Sequence, residues 1–341
     1  MSEAEAVTAV LWLGATLYAI FGGADFGVGF WDLFAGDAER GERPRALMDR
    51  ALAPVWEANH VWLIFCLVVL WTAFPKVFAA IMTTLFVPLT LAALGIVLRG
   101  AGFAFRKAVD PVEQRRAFGA LFALSSLLTP FFMGTVIGGI ASGRVPADGD
   151  GDRLTSWLNG SSVAIGVLFV ATSAYLAAVF LVSDARRAGE DDLVAYFRRR
   201  ALWSGAAAGV VALASLVVLR EDARFVFDGL TGDAAPLVAA SAVAGIGALV
   251  LLARAAPRGP RPLAVIAVAA MVWGWAVAQH PYLLPTSTTI DAAAASNDSL
   301  TAVLVVFGVA VIVILPALGL LYTLHQRSTF DELGSPADRR R

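Results

Sequence analysis

The sequence predicts an all-α polytopic membrane protein with about nine transmembrane helices. Three observations carry that prediction. The 341 residues are 58% hydrophobic, with a mean hydropathy of +0.73, where a soluble domain is roughly 45–50% apolar. Nine apolar runs approach or exceed the roughly 20 residues needed to cross a bilayer. The basic residues segregate into alternate connections between those runs.

The runs cover approximately 6–34, 53–73, 75–99, 115–142, 156–182, 200–219, 234–253, 262–283 and 299–324. The first follows an acidic start, Met1-Ser2-Glu3-Ala4-Glu5, without the basic flank of a cleaved signal, so it is expected to be retained. Phe74-Pro75-Lys76 separates the second from the third, because proline lacks the N–H that would continue a helix. The seventh is short and Ala/Gly-rich. No connection is long enough to fold as a soluble domain. The expected organisation is one integral-membrane domain over residues 1–341, with a first part at 5–142, a second at 155–325 and a tail at 326–341. Of 26 Lys and Arg, 21 fall after runs 1, 3, 5 and 7 or in the tail. The positive-inside rule then puts the amino end outside and the carboxyl end in the cytoplasm.

Net charge is −1, which gives no reason to expect nucleic acid as a partner. The one cysteine, Cys66, excludes an internal disulfide, a CxxCH haem attachment and a thiolate cluster. No phosphate-binding loop, dinucleotide fingerprint or nucleophile motif is present. Only three histidines occur, His60, His280 and His325.

Two carboxylates stand inside the first two runs, where each costs roughly 2.5–3.5 kcal/mol to insert. Asp25 lies in Gly22-Gly23-Ala24-Asp25-Phe26-Gly27 and Glu57 in Pro54-Val55-Trp56-Glu57-Ala58-Asn59-His60. In the expected orientation Asp25 is roughly 13 Å and Glu57 roughly 6 Å from the cytoplasmic ends of their helices. That order suits protons entering from the cytoplasm. Glu57 and His60 share a helix face at a spacing of three and could exchange a proton. Trp56 and Trp62 flank them and can restrict water. The competing reading makes Glu57 an interfacial residue, His60 a packed core residue and Gly23/Gly27 a helix-packing motif. Arg99, at the cytoplasmic end of the third run, is either the partner of Asp25 or an interfacial anchor. His280 reads as a helix-ending residue before Pro281, with haem ligation the weaker option. His325 reads as interfacial, and Arg198-Arg199-Arg200 as a contact for anionic lipid.

Several segments together resemble subunit II of the cytochrome bd quinol oxidases. They are Tyr18 through Gly29, Ala53 through Ile64, Leu98-Arg99-Gly100 through Arg106, Pro281 through Ser287, and Leu315-Pro316 through Tyr322. The resemblance runs from residue 8 to 325, and through 200–260 rests on hydropathy alone. Two departures stand out. Gly22 occupies a position that is Asp in many members, and Glu57 one that is often Asp.

The resemblance implies two four-helix bundles plus a peripheral helix, and a multi-pass protein of the bacterial inner membrane. It implies a heterodimer with subunit I, which would carry haems b558, b595 and d, and leaves small accessory subunits open. The complex would oxidise quinol and reduce O2 to water. This chain would support subunit I and line a proton path with Asp25 and Glu57, aided by His60, with Trp56, Asn59 and Arg99 around them. No metal ligand set is expected here. A proton-coupled transporter and a purely scaffolding subunit are the alternatives.

Overall fold

The computed structural model describes residues 2–37, 39–52, 56–109 and 112–326; within these, the side chains of 56–58, 107, 112, 115, 314, 315, 318, 321, 322 and 324–326 are outside the described set. Thirteen helices and one small hairpin make up the described chain. They are α1 (Glu3–Leu33), α2 (Glu42–Leu52), α3 (Trp56–Ala73), α4 (Pro75–Thr84), α5 (Phe86–Ala108), α6 (Val112–Ala141), α7 (Gly160–Arg187), α8 (Asp191–Asp222), α9 (Arg224–Thr231), α10 (Ala235–Ala253), α11 (Pro260–Gln279), β1 (Tyr282–Leu284), β2 (Thr288–Thr289), α12 (Ile290–Ala293) and α13 (Asn297–Gln326).

Seven of these, α1, α5, α6, α7, α8, α10 and α11, are individually long and apolar enough to cross a membrane. The α3–α4 pair passes the same test only as one bent unit, and residues 297–313 of α13 form a shorter apolar helix. The chain is therefore a multi-pass membrane protein.

Two sequence expectations need correction. The third run does not form one helix from 75 to 99. Pro75 starts α4 at its first helical position, α4 turns 119° away from α3, and the chain restarts at Phe86. Val77, Ala80, Ile81 and Thr84 bury one side of α4, and Thr84 donates to the Gly149 carbonyl at 3.0 Å. So α4 packs against the loop after α6, and of the two helices in this run only α5 is by itself long and apolar enough to cross a membrane. The connection after α1 is not a plain loop either. It contains α2, whose Leu47, Met48 and Leu52 are buried in the core while Glu42, Arg43 and Arg50 face out. Eleven residues with this charge content fail any hydropathy window, yet they place an apolar stripe inside.

α1 sits at the centre, packed against α3, α6, α7 and α11. In lipid, helix contact comes from close packing rather than from expelled water, and the α1–α7 seam shows it. A Cβ at Gly27 would lie 1.9 Å from the Ser173 carbonyl oxygen, whereas one at Gly23 would lie 3.5 Å from Ser173 Oγ. Ala174, Ala177 and Ala178 line the seam, and Trp31 Nε1 donates to the Ala174 carbonyl at 2.8 Å. Trp71, Trp203, Ile246 and Ile312 keep the outward faces apolar and exposed.

The bundle has one acidic and one basic end. At the acidic end, Ser2 caps α1 and donates to Asp291, Arg144 pairs with Asp222, and Glu5 faces His280 at 3.7 Å. At the basic end, α2 is tied across the bundle. Arg43 pairs with Asp192 and Glu190, and Arg50 pairs with Glu190 at 2.7 Å. Arg200, in the run expected at lipid, has partners within the protein. Its guanidinium lies on the Tyr196 ring at 3.4 Å and donates to the Phe34 carbonyl at 3.2 Å.

Candidate proton site and its ion-pair ladder

Asp25 and Asp32 stand seven residues apart on α1, two turns along the same face, and Arg99 and Arg106 repeat that spacing on α5. The helices align these pairs as two rungs.

The inner rung is Asp25–Arg99, at 3.0 Å, with the two side chains 1% and 2% exposed. Arg99 is held from three sides. Its Nε donates to Ser126 Oγ at 3.0 Å, its Nη2 donates to the Asp25 backbone carbonyl at 3.1 Å, and the rings of Phe26 and Phe122 flank it at 5.2 and 5.0 Å. The guanidinium thus balances the aspartate charge while directing these hydrogen bonds elsewhere. Arg99 Nη2 meets Asp25 Oδ1 as an ion pair at 3.0 Å, and among the described residues neither carboxylate oxygen takes a well-aligned hydrogen bond.

The outer rung is closed by contrast. Asp32 accepts from Arg45 Nε at 2.7 Å and from Arg106 Nη1 at 2.5 Å, and Arg106 also pairs with Asp49 of α2. The Phe122 ring lies between the two rungs, 5.0 Å from Arg99 and 4.8 Å from Arg106. Gly102 allows this: a Cβ there would lie 2.8 Å from the Phe122 backbone nitrogen.

A cavity of about 360 Å³ opens at the basic end and reaches Asp25 and Asn59. Phe21, Val28, Leu47 and Phe180 wall it, and Arg50, Asp184, Arg187 and Arg261 stand at its rim. Exposure falls from 62% at Arg50 and 51% at Arg187, through 23% at Asp184, to 1% at Asp25. Asp25 is therefore a buried, ion-paired acid in the lining of this cavity.

His60 packs edge-on against Tyr18 at 6.2 Å and Phe26 at 5.9 Å, one ring away from Arg99. The Tyr18 ring also fills the space over Gly22, where a Cβ would approach it to 2.6 Å. An aromatic ring thus occupies the place that an added side chain would need. The backbone of Glu57 starts α3, but its side chain and that of Trp56 lie outside the described residues. Asn59 is 5% exposed and lines the cavity. His280 caps the end of α11 and is 56% exposed beside Glu5.

Of the two histidines with described side chains, His60 is half-buried against the Tyr18 and Phe26 rings and His280 is exposed. Among the described residues there is no group of three or more His, Cys, Asp or Glu that could hold a metal ion. The sequence reading missed Asp32, Arg45, Asp49, Arg106, Phe122 and Ser126. The doubled seven-residue spacing was the signal that could have found the outer rung.

A family model described as cytochrome bd terminal oxidase subunit II matches residues 4–325. The chain belongs to this family. It is similar over 96% of both lengths, at 22% identity, to a Bacillus subtilis (strain 168) protein named as a cytochrome bd menaquinol oxidase subunit II. It is 29% identical over 147 residues to the cytochrome bd-I ubiquinol oxidase subunit 2 of Escherichia coli (strain K12), a match covering 42% of this chain and 38% of that one. In structure it is similar to a chain of the bd oxidase from Geobacillus thermodenitrificans, with a TM-score of 0.80 at 26% identity, covering 95% of this chain and 98% of that one. Membership of a subunit II family implies a subunit I partner and makes this a multi-pass bacterial membrane protein of the respiratory chain.

Proposed function

We propose that this chain is the non-haem-ligating subunit of a quinol-oxidising, O2-reducing complex, and that it supplies protons from the cytoplasm to the partner's haem site. The observation that carries this reading is the buried Asp25 carboxylate, ion-paired to Arg99 at 3.0 Å and beside a cavity that opens at the basic end. Under the positive-inside rule that end is cytoplasmic, which supports inward orientation of the carboxyl end. A single membrane domain with nine crossings is consistent with this orientation.

In this reading Asp25 takes a proton from water in the cavity and releases it toward the partner subunit. Arg99 keeps the anion affordable in the membrane between transfers, because its charge stays 3.0 Å away throughout. Glu57, two residues before the cavity-lining Asn59, is the shallower acid that hands protons inward. His60 packs beside this route. Haems b558, b595 and d belong to subunit I, and quinol is the electron donor.

Replacing Glu57 by Gln and Asp25 by Asn, separately, in the intact complex tests this. Quinol-driven O2 uptake per assembled haem should fall at least tenfold in each. Unchanged turnover and pH profile in both would remove the relay. Loss of assembly with normal activity in whatever assembles would favour the scaffolding reading.

A further inference from the structure

A second cavity, of about 260 Å³, lies at the basic end between the last turns of α7 and the α10–α11 turn. Arg186, Arg258, Arg261 and Ser183 line it with Pro257, Pro260 and Pro262, and no carboxylate lines it. The neighbouring acid, Asp184, is engaged with Arg187. The turn has a fixed shape. Arg186 donates to the carbonyls of Ala256 at 2.8 Å and Ala255 at 3.2 Å, and Ala255 and Gly259 adopt φ of 55° and 105°. Arg261 is braced by the Phe180 ring at 4.2 Å, while Arg258 is exposed. Three arginines therefore line a small space with no acid in its lining, and their combined positive charge makes it a setting for a phosphate oxyanion.

The surroundings decide the source of that phosphate. The cavity lies where α10 ends and α11 begins, and the outward faces of these helices expose Val250 and Ile266. An acyl chain can follow those faces into the membrane while its headgroup stays at the arginines. We infer that the Arg186–Arg258–Arg261 cavity holds the headgroup phosphate of an anionic phospholipid. This does not depend on the proton reading, since it uses none of the same acids.

The test uses the purified complex in nanodiscs of phosphatidylglycerol or of phosphatidylcholine, followed by native mass spectrometry of retained lipid. Arg258→Gln removes an exposed charge without touching the core, and Arg261→Lys keeps the charge as a control. The wild type should retain phosphatidylglycerol over phosphatidylcholine. At about 1 kcal/mol per basic residue, Arg258→Gln should weaken retention roughly fivefold and Arg258→Gln/Arg261→Gln roughly 30-fold, with Arg261→Lys close to wild type. Equal retention by wild type and double variant would overturn the site. Displacement of the lipid by millimolar inorganic phosphate, or phosphate binding without lipid selectivity, would overturn the lipid as its occupant.

Discussion

The two rungs of the α1–α5 ladder use the same chemistry and end in different states. Asp32 accepts from two arginines and is tied through Arg106 to Asp49. Asp25 has one arginine at 3.0 Å whose hydrogen bonds go to a backbone carbonyl and to Ser126, and its carboxylate adjoins a cavity. The outer rung fastens α2 to the bundle. The inner rung leaves a charged acid balanced but uncommitted. A carboxylate bound by several donors is stabilised in one protonation state, whereas one facing space can exchange a proton. The lesson is that an aspartate–arginine pair in a membrane helix is not by itself a staple or a relay; the destination of the arginine's remaining donors decides.

The largest effect should come from Arg99→Ala, which leaves Asp25 buried without its countercharge. Breaking a buried pair in this way costs about 3–5 kcal/mol, so the complex should fail to accumulate, as read by haem absorbance in membranes. Arg99→Ala with Asp25→Asn should restore accumulation without turnover. If the double variant accumulates no better, burial of the lone charge is not the cause.

Gly27→Ala comes next. Its Cβ would meet the Ser173 carbonyl at 1.9 Å, which forces α1 and α7 apart and should lower the thermal transition by several degrees. Gly23→Ala, with 3.5 Å to Ser173 Oγ, should be nearly silent. Equal effects would show that this seam does not set the packing.

The comparison of rungs is sharpened by Asp25→Asn against Asp32→Asn. The first should lower quinol-driven O2 uptake per assembled haem at least tenfold, beyond the stability it loses by leaving Arg99 buried without its countercharge. The second should lower stability by about 1–3 kcal/mol, since it removes a charge-assisted hydrogen-bond acceptor from two arginines, and leave turnover within a factor of two. The reverse pattern would exchange their roles.

The smallest effect concerns the outer surface of α2. The hydrogen bond from Arg50, aided by Arg43, holds the Glu190 carboxyl below its usual value of 4.5. A lowered carboxylate value means that its contribution is fully present above the ordinary value and is lost as pH falls through the lowered one. Hydrogen exchange of α2 amides should therefore quicken in that acid range, and Glu190→Gln should remove the step. An unchanged step would assign it to another group.

Much of the fold was legible because hydropathy depends on composition over about 20 residues, and most crossings here are long and uninterrupted. Even the Ala/Gly-rich run at 234–253 became α10. The break at Leu85 was not legible, because residues 75–99 are apolar throughout and only packing against Gly149 and the α12 region turns α4 aside. Nor was α2, where Leu47, Met48 and Leu52 lie among charges.

By itself the sequence determined that the chain crosses a membrane repeatedly, that its basic residues gather in alternate connections, and that Asp25 is a costly residue inside an apolar run. Those properties follow from composition and from single residues in single helices. Only the tertiary structure decided that Arg99 meets Asp25 while Arg106 meets Asp32, that the Tyr18 ring fills the space over Gly22, and that a cavity reaches one acid of the ladder. These depend on the rotation and depth of α1, α5 and α7 relative to one another. Backbone contacts at Gly27 and Gly102 set that alignment, between residues far apart in the chain.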